Sequence, residues 1–278
     1  MPYSLFSIVF SLGAVATWGV ADFTGGYAAR RANAYVIATI AHASAMILVI
    51  TLAISTHAAF PSRMSVLWSL AAGLSGGAAL AFFYRALATG KMGLTAPVSA
   101  VLGAAVPTAF TIVTEGAPGA LRIAGFVLAG IGIWLISRTQ DNTRPDGIGL
   151  ALLAGVGFAG FFLCTKQAGN ASSFWIAAFA KAASLGLTIP IVLLGRSFRN
   201  IYRPSARLAV LAGCLDVTGS VLFIRASQTG RLDTAVVLSS LYPVVTVLMA
   251  KIILQEHFTR WKAIGMVAAL LAVPMIAM

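Results

Sequence analysis

Apolar residues along this chain fall into runs of roughly 20, broken by short polar stretches, and the pattern continues from one end to the other. A run of that length is what an α-helix needs to cross a hydrocarbon core of about 30 Å. The runs predict ten helical spans, at 4–27, 35–55, 65–88, 92–113, 118–137, 146–167, 172–194, 206–228, 232–253 and 260–278. No room remains for a soluble domain. Around Gly90 and Gly230 the flanking spans are joined by very tight turns. Merging either pair would demand a helix far longer than a membrane is thick. The predicted fold class is an all-α polytopic membrane protein with ten transmembrane helices.

Laid over itself in the register that sets Arg85 on Arg225, the sequence shows an internal repeat. FFYRALATGKMGLTAPVSAV (82–101) lies over LFIRASQTGRLDTAVVLSSL (222–241), so that Thr89 falls on Thr229, Gly90 on Gly230 and Ser99 on Ser239. Further on, LRIAGFVLAG (121–130) lies over WKAIGMVAAL (261–270), with Gly125 on Gly265 and Ala129 on Ala269. The register is shared through a helix, a turn and the next helix. Two halves, 1–140 and 141–278, each hold five of the predicted spans. An odd number makes the second half enter the bilayer in the opposite orientation, giving an inverted repeat. In transporters that arrangement sets the substrate site near midplane between the halves. Channels, scaffolds and membrane enzymes are also built by duplication. Gly73 and Gly77, and the Gly125/Ala129 and Gly265/Ala269 pairs, provide small-xxx-small spacings through which helix backbones approach closely in lipid.

Composition agrees with this pattern. Hydrophobic residues make up 59% of the chain and charged residues 9%, against about a quarter charged in soluble domains, so a water-facing globule could not be covered. The net charge of +12 would suit nucleic acid if it were clustered. It is instead scattered between apolar runs, where basic residues meet anionic headgroups and set topology. Nucleic acid is therefore not an expected partner, and membrane lipid is. Cys164 and Cys214 lie in separate apolar runs and read as small packing residues. The first run lacks a basic leader and reads as a retained helix. A Walker-type loop, an HExxH motif, a cysteine ligand cluster and a serine nucleophile elbow are all absent from the sequence. No cofactor, metal or catalytic residue is expected, and an electrochemical gradient is the simplest energy source.

Several segments together carry a family resemblance: WGVADF (18–23), YRAL (84–87) with the Gly90 turn, Pro97, and SSLYPVVTVLMAKIILQEHFT (239–259) leading into Gly265. The last, a small-residue and proline helix ending in Glu256, is echoed in the first half by Pro107 and Glu115. With these segments the chain resembles the EamA-type branch of the drug/metabolite transporter superfamily over essentially its whole length. The resemblance implies ten helices from two EamA domains, a multi-pass location in a bacterial-type inner membrane, and secondary transport of a small metabolite, often outward. Amino acids are frequent among the substrates it implies. Gly103 stands where the second half has Pro243, and Glu115 is one position off the repeat of Glu256, so the first half departs from the family pattern.

The rare polar residues within spans are the candidates for substrate binding or coupling. Asp22 lies beside Trp18 in the first span, and an Asp at a helix centre costs about 2.5–3.5 kcal/mol to insert. It reads as a proton-responsive or substrate-contacting carboxylate, or as a helix-end group near Arg30 and Arg31. Asp216 in the eighth span is a candidate for a substrate ammonium or for an internal ion pair with Lys181 of the seventh. His42 and Lys181 fall at nearly matching repeat positions and are candidates to face a central cavity from opposite halves. Arg85 and Arg225 either meet an anionic group or snorkel to headgroups. Among the aromatic residues Trp18 and Tyr242 are preferred, each adjoining a polar or proline feature. Pro97, Pro107 and Pro243 are candidate helix kinks that free carbonyls or relieve packing.

Twelve Arg and Lys flank the side of the odd-numbered loops, among them Arg30, Arg31, Lys91, Arg138, Arg144, Arg196 and Arg199, against four (Arg63, Arg122, Lys166, Arg231) on the other. Positive-inside topology thus predicts external termini, whereas the resemblance implies cytoplasmic ones. The leading expectation is alternating access for a small metabolite with proton coupling. A passive facilitator, a membrane-embedded enzyme or lipid-interacting protein, and a scaffold are the competing readings. Monomer and homodimer are both compatible with the sequence.

Overall fold

A computed structural model describes residues 5–90, 92–137, 147–195, 203–255 and 259–277. Lys91, Arg138, Arg144, Arg196, Arg199 and Glu256, which entered the charge count and the family pattern, lie outside the described residues. The described chain is helical throughout: α1 (Leu5–Ala29), α2 (Ala34–Ser55), α3 (Arg63–Thr89), α4 (Met92–Glu115), α5 (Ala120–Ser137), α6 (Ile148–Gln167), α7 (Ser173–Leu194), α8 (Arg203–Thr229), α9 (Leu232–Ser239), α10 (Tyr242–Leu254) and α11 (Arg260–Ala277). Helices satisfy their own backbone groups, which lipid cannot do for them. Polar residues end them: the Asn33 side chain accepts from the amides of Tyr35 and Val36, and Ser62 from that of Ser65.

Among the described residues eight units are long and apolar enough to cross a membrane: α1, α2, α3, α4 from Thr95, α6, α7, α8, and the stretch Leu232–Leu254 that holds α9 and α10. The chain is an all-α polytopic membrane protein. The shorter helices α5 and α11 pack on one another and turn large apolar side chains outward, Val127 and Ile131 from α5 and Val267 and Leu270 from α11. Such a surface suits lipid.

The ninth predicted span is not one helix. α9 stops at Ser239, and α10 begins at Tyr242 with Pro243 in its first turn. Proline has no N–H to give the Ser239 carbonyl, but is well placed at a helix start. The break is closed by tighter bonds, from Leu241 N to Leu238 O (3.2 Å) and from Val244 N to Leu241 O (3.0 Å). Pro243 is thus a helix starter rather than a kink, whereas helix α4 continues through both Pro97 and Pro107.

Glycines set the closest helix contacts. A Cβ on Gly73 would overlap the Ala180 backbone of α7, and one on Gly77 would lie 2.7 Å from the Ser184 Cβ. Ser184 Oγ donates to the Gly73 carbonyl at 2.8 Å. Gly213 of α8, the repeat partner of Gly73, meets Ala41 and Ser44 of α2 in the same way, and Ser44 Oγ donates to the Val210 carbonyl at 3.1 Å. Gly265 of α11 would meet the Gly132 carbonyl of α5 at 2.5 Å. Around the molecule α1 packs on α8 and α3 on α6, α2 on α8 and α3 on α7, while α2 lies on α7 and α5 on α11. Residues 82–90 and 222–230 have the same sequence of buried, partly buried and exposed positions.

Candidate functional site

Trp18 and Asp22 stand one turn apart on α1, a spacing that puts both on one helix face. That face turns inward against α8, where the Trp18 Nε1 donates to the Asp216 carbonyl at 3.0 Å. Gly219, whose Cβ would lie 2.7 Å from that Nε1, makes room for the indole. The ring is held further by Phe223 at 5.7 Å, Phe162 at 5.9 Å and Tyr242 at 6.4 Å between centroids, the last edge-on.

Lys181 reaches from α7 to the Asp216 carboxylate of α8 and forms a buried ion pair with it. Two ionised groups out of water are tolerated when each satisfies the other. The Asp216 carbonyl also accepts from Ser220 Oγ at 2.9 Å. Asp22 is buried as well and lines the same cavity as Asp216. Among the described residues Asp22 has no cation and no hydrogen-bond partner.

These groups line a cavity between α1, α3, α6, α7, α8 and the start of α10. Its charged residues are Asp22, Lys181 and Asp216, and its aromatic walls are Trp18, Phe158, Phe161, Phe162 and Tyr242. Eight of the lining residues form four pairs in one sequence register. In the register that sets Arg85 on Arg225, Trp18 pairs with Phe158, Asp22 with Phe162, Gly76 with Asp216 and Leu80 with Ser220, and both members of each pair face the cavity. The charges break the symmetry, because the partner of each acid is Phe162 or Gly76.

Five of the sequence candidates therefore share one site: Trp18, Asp22, Lys181, Asp216 and Tyr242. His42 is buried on α2, beside the Gly77 backbone and the Lys181 ammonium, with neither ring nitrogen in a well-formed hydrogen bond. It lies behind the lining rather than in it. Arg85 and Arg225 are exposed and outside the cavity; Arg85 lies over the Tyr35 ring and donates to its hydroxyl at 3.3 Å. Tyr242 does line the site, its hydroxyl 3.3 Å from Ser99 Oγ. Pro97, Pro107 and Pro243 shape α4 and the α9–α10 break without lining the cavity. Gly76, Leu80, Ser184 and Ser220 were missed. Carrying Asp216 back into the first half in the register that sets Arg85 on Arg225 would have found Gly76. Among the described residues no three His, Cys, Asp or Glu side chains group as metal ligands.

The fold and the site define a polytopic membrane protein with a charged and aromatic cavity between α1, α3, α6, α7, α8 and α10. Residues 146–278 match the sequence model of the EamA-like transporter family. Over nearly its whole length the chain also shares its fold with a protein of known crystal structure, at a TM-score of 0.70 and 16% identity, covering 97% of this chain and 95% of that one. No curated protein matches it in sequence.

Proposed function

We propose that the chain is a secondary active transporter, an exporter of a small metabolite such as an amino acid, working by alternating access in a bacterial-type inner membrane. The observation that carries this reading is the cavity between the helices, eight of whose lining residues form four pairs in the register that sets Arg85 on Arg225. A site of that kind, between two halves that can rock against each other, is where transporters hold substrate. The helix contacts support the same arrangement: exchanging the halves turns α1 on α8 into α6 on α3, turns α2 on α8 into α7 on α3, and leaves α2 on α7 and α5 on α11 unchanged. In this reading residues 1–140 and 141–278 are inverted five-span units, α5 and α11 cross the bilayer, and α9 with α10 makes one crossing. The EamA-like match over 146–278 favours transport. An enzyme acting on lipid would bring Asp22, His42 and Asp216 together at a lateral opening; His42 instead lies off the cavity that the two acids share.

Asp22 is the proposed coupling group, as a buried carboxylate that faces the cavity unpaired. The test is uptake into reconstituted vesicles of amino acids, organic cations and anionic metabolites, with and without an imposed pH gradient. Saturable uptake accelerated by the gradient is expected, and in a folded Asp22→Asn protein the acceleration disappears. Uptake indifferent to the gradient in both proteins would favour a facilitator or another coupling ion.

A further inference from the structure

With both acids ionised, the charges of the cavity do not cancel. Lys181 is committed to Asp216, and Trp18 Nε1 and Ser220 Oγ fix the Asp216 backbone carbonyl on the same turn. Asp22 then remains as a second acid with no cation among the described residues, so the three charged groups of the lining sum to one negative charge when both acids are ionised. A carboxylate in a low-dielectric site is stabilised by an opposite charge within a few ångströms.

The walls select for a particular kind of cation. Trp18 stands one turn from Asp22, and Phe158, Phe161, Phe162 and Tyr242 complete an apolar, ring-lined enclosure. Ring faces attract an organic cation, and the apolar surface around them favours a hydrocarbon body over a hydrated metal ion. An anion would face two carboxylates against one ammonium already paired. A zwitterion would have to draw Lys181 away from Asp216 to neutralise its own carboxylate, leaving Asp216 buried and unpaired.

We infer that this cavity takes a monovalent organic cation, an amine or quaternary ammonium on an aromatic or aliphatic body, with its charge at Asp22 and its body among the rings of Trp18, Phe162 and Tyr242. The inference rests on the transport reading for its site and narrows the substrate class within it, away from amino-acid zwitterions.

Three ligands with one body and different charge test it: radiolabelled tryptamine, tryptophan and indole-3-acetate. Equilibrium binding to the purified full chain at neutral pH should favour tryptamine over tryptophan by at least tenfold, an order-of-magnitude expectation for an uncompensated buried charge, with indole-3-acetate weakest. Asp22→Asn should abolish the preference and Asp22→Glu should keep it, both checked for folding by gel filtration and thermal melting. Tighter binding of tryptophan or of indole-3-acetate, binding of none of the three at millimolar concentration, or an unchanged preference in folded Asp22→Asn overturns the inference. Counterflow of the same ligands in vesicles separates this from the transport reading. Preferential exchange of tryptophan would keep transport and reject the cation, whereas tight tryptamine binding without exchange would keep the cation and reject transport.

Discussion

Lys181 of α7 and Asp216 of α8 form a buried ion pair at the wall of the central cavity. Removing one partner leaves a charge in a place that cannot hydrate it, at a cost of about 3–5 kcal/mol. Lys181→Met and Asp216→Leu should each lower the melting temperature of the detergent-purified protein, and the double variant should recover most of the loss. A double variant no more stable than the worse single one would mean that the pair is not the source of the effect.

Gly73 and Gly213 hold α3 on α7 and α8 on α2 through backbone contacts that leave no space for a side chain. Overpacking such a contact costs roughly 1–3 kcal/mol. Gly73→Val and Gly213→Val should reduce the yield of folded protein and its melting temperature. Gly186→Ala, where a Cβ meets nothing, should leave both unchanged or slightly raised.

Arg231 pairs with the fully buried Asp233 at 2.8 Å and donates to the Gly116 carbonyl at 2.8 Å, fastening the start of α9 to the end of α4. Arg231→Ala should destabilise the protein by about 3–5 kcal/mol, since Asp233 is left without its cation. Thermal melting should show a smaller loss in Arg231→Lys, which keeps the charge but not the forked contact.

Arg85 and Arg225 lie at matching exposed positions near the ends of α3 and α8. Alanine at either should leave the affinity for transported substrate within about twofold, because exposed charges away from a site contribute little. A tenfold loss in vesicle uptake affinity, with folding intact, would bring these residues back into the binding machinery.

Asp22, Asp216, Lys181 and His42 are all polar residues within apolar stretches of the sequence, yet three of them share the cavity and His42 does not. A soluble helix marks its inward face by hydrophobic periodicity. Here the outward face meets lipid and is apolar too, as Val127 on α5 and Val267 on α11 are, so periodicity cannot tell inside from outside. The repeat carried more information: the offset that aligned Arg85 with Arg225 also pairs Trp18 with Phe158 and Gly76 with Asp216 around one space.

The sequence by itself determined that the chain is a helical membrane protein and where its apolar stretches lie. Partition of an apolar stretch of roughly 20 residues into lipid depends on that stretch alone. Only the tertiary structure decided that Pro243 starts a new helix, that Lys181 is spent on Asp216, and that Asp22 faces the rings without a partner. Those outcomes depend on which helices meet and how closely, and contacts such as Gly73 on Ala180 and Gly213 on Ala41 join residues far apart in the chain.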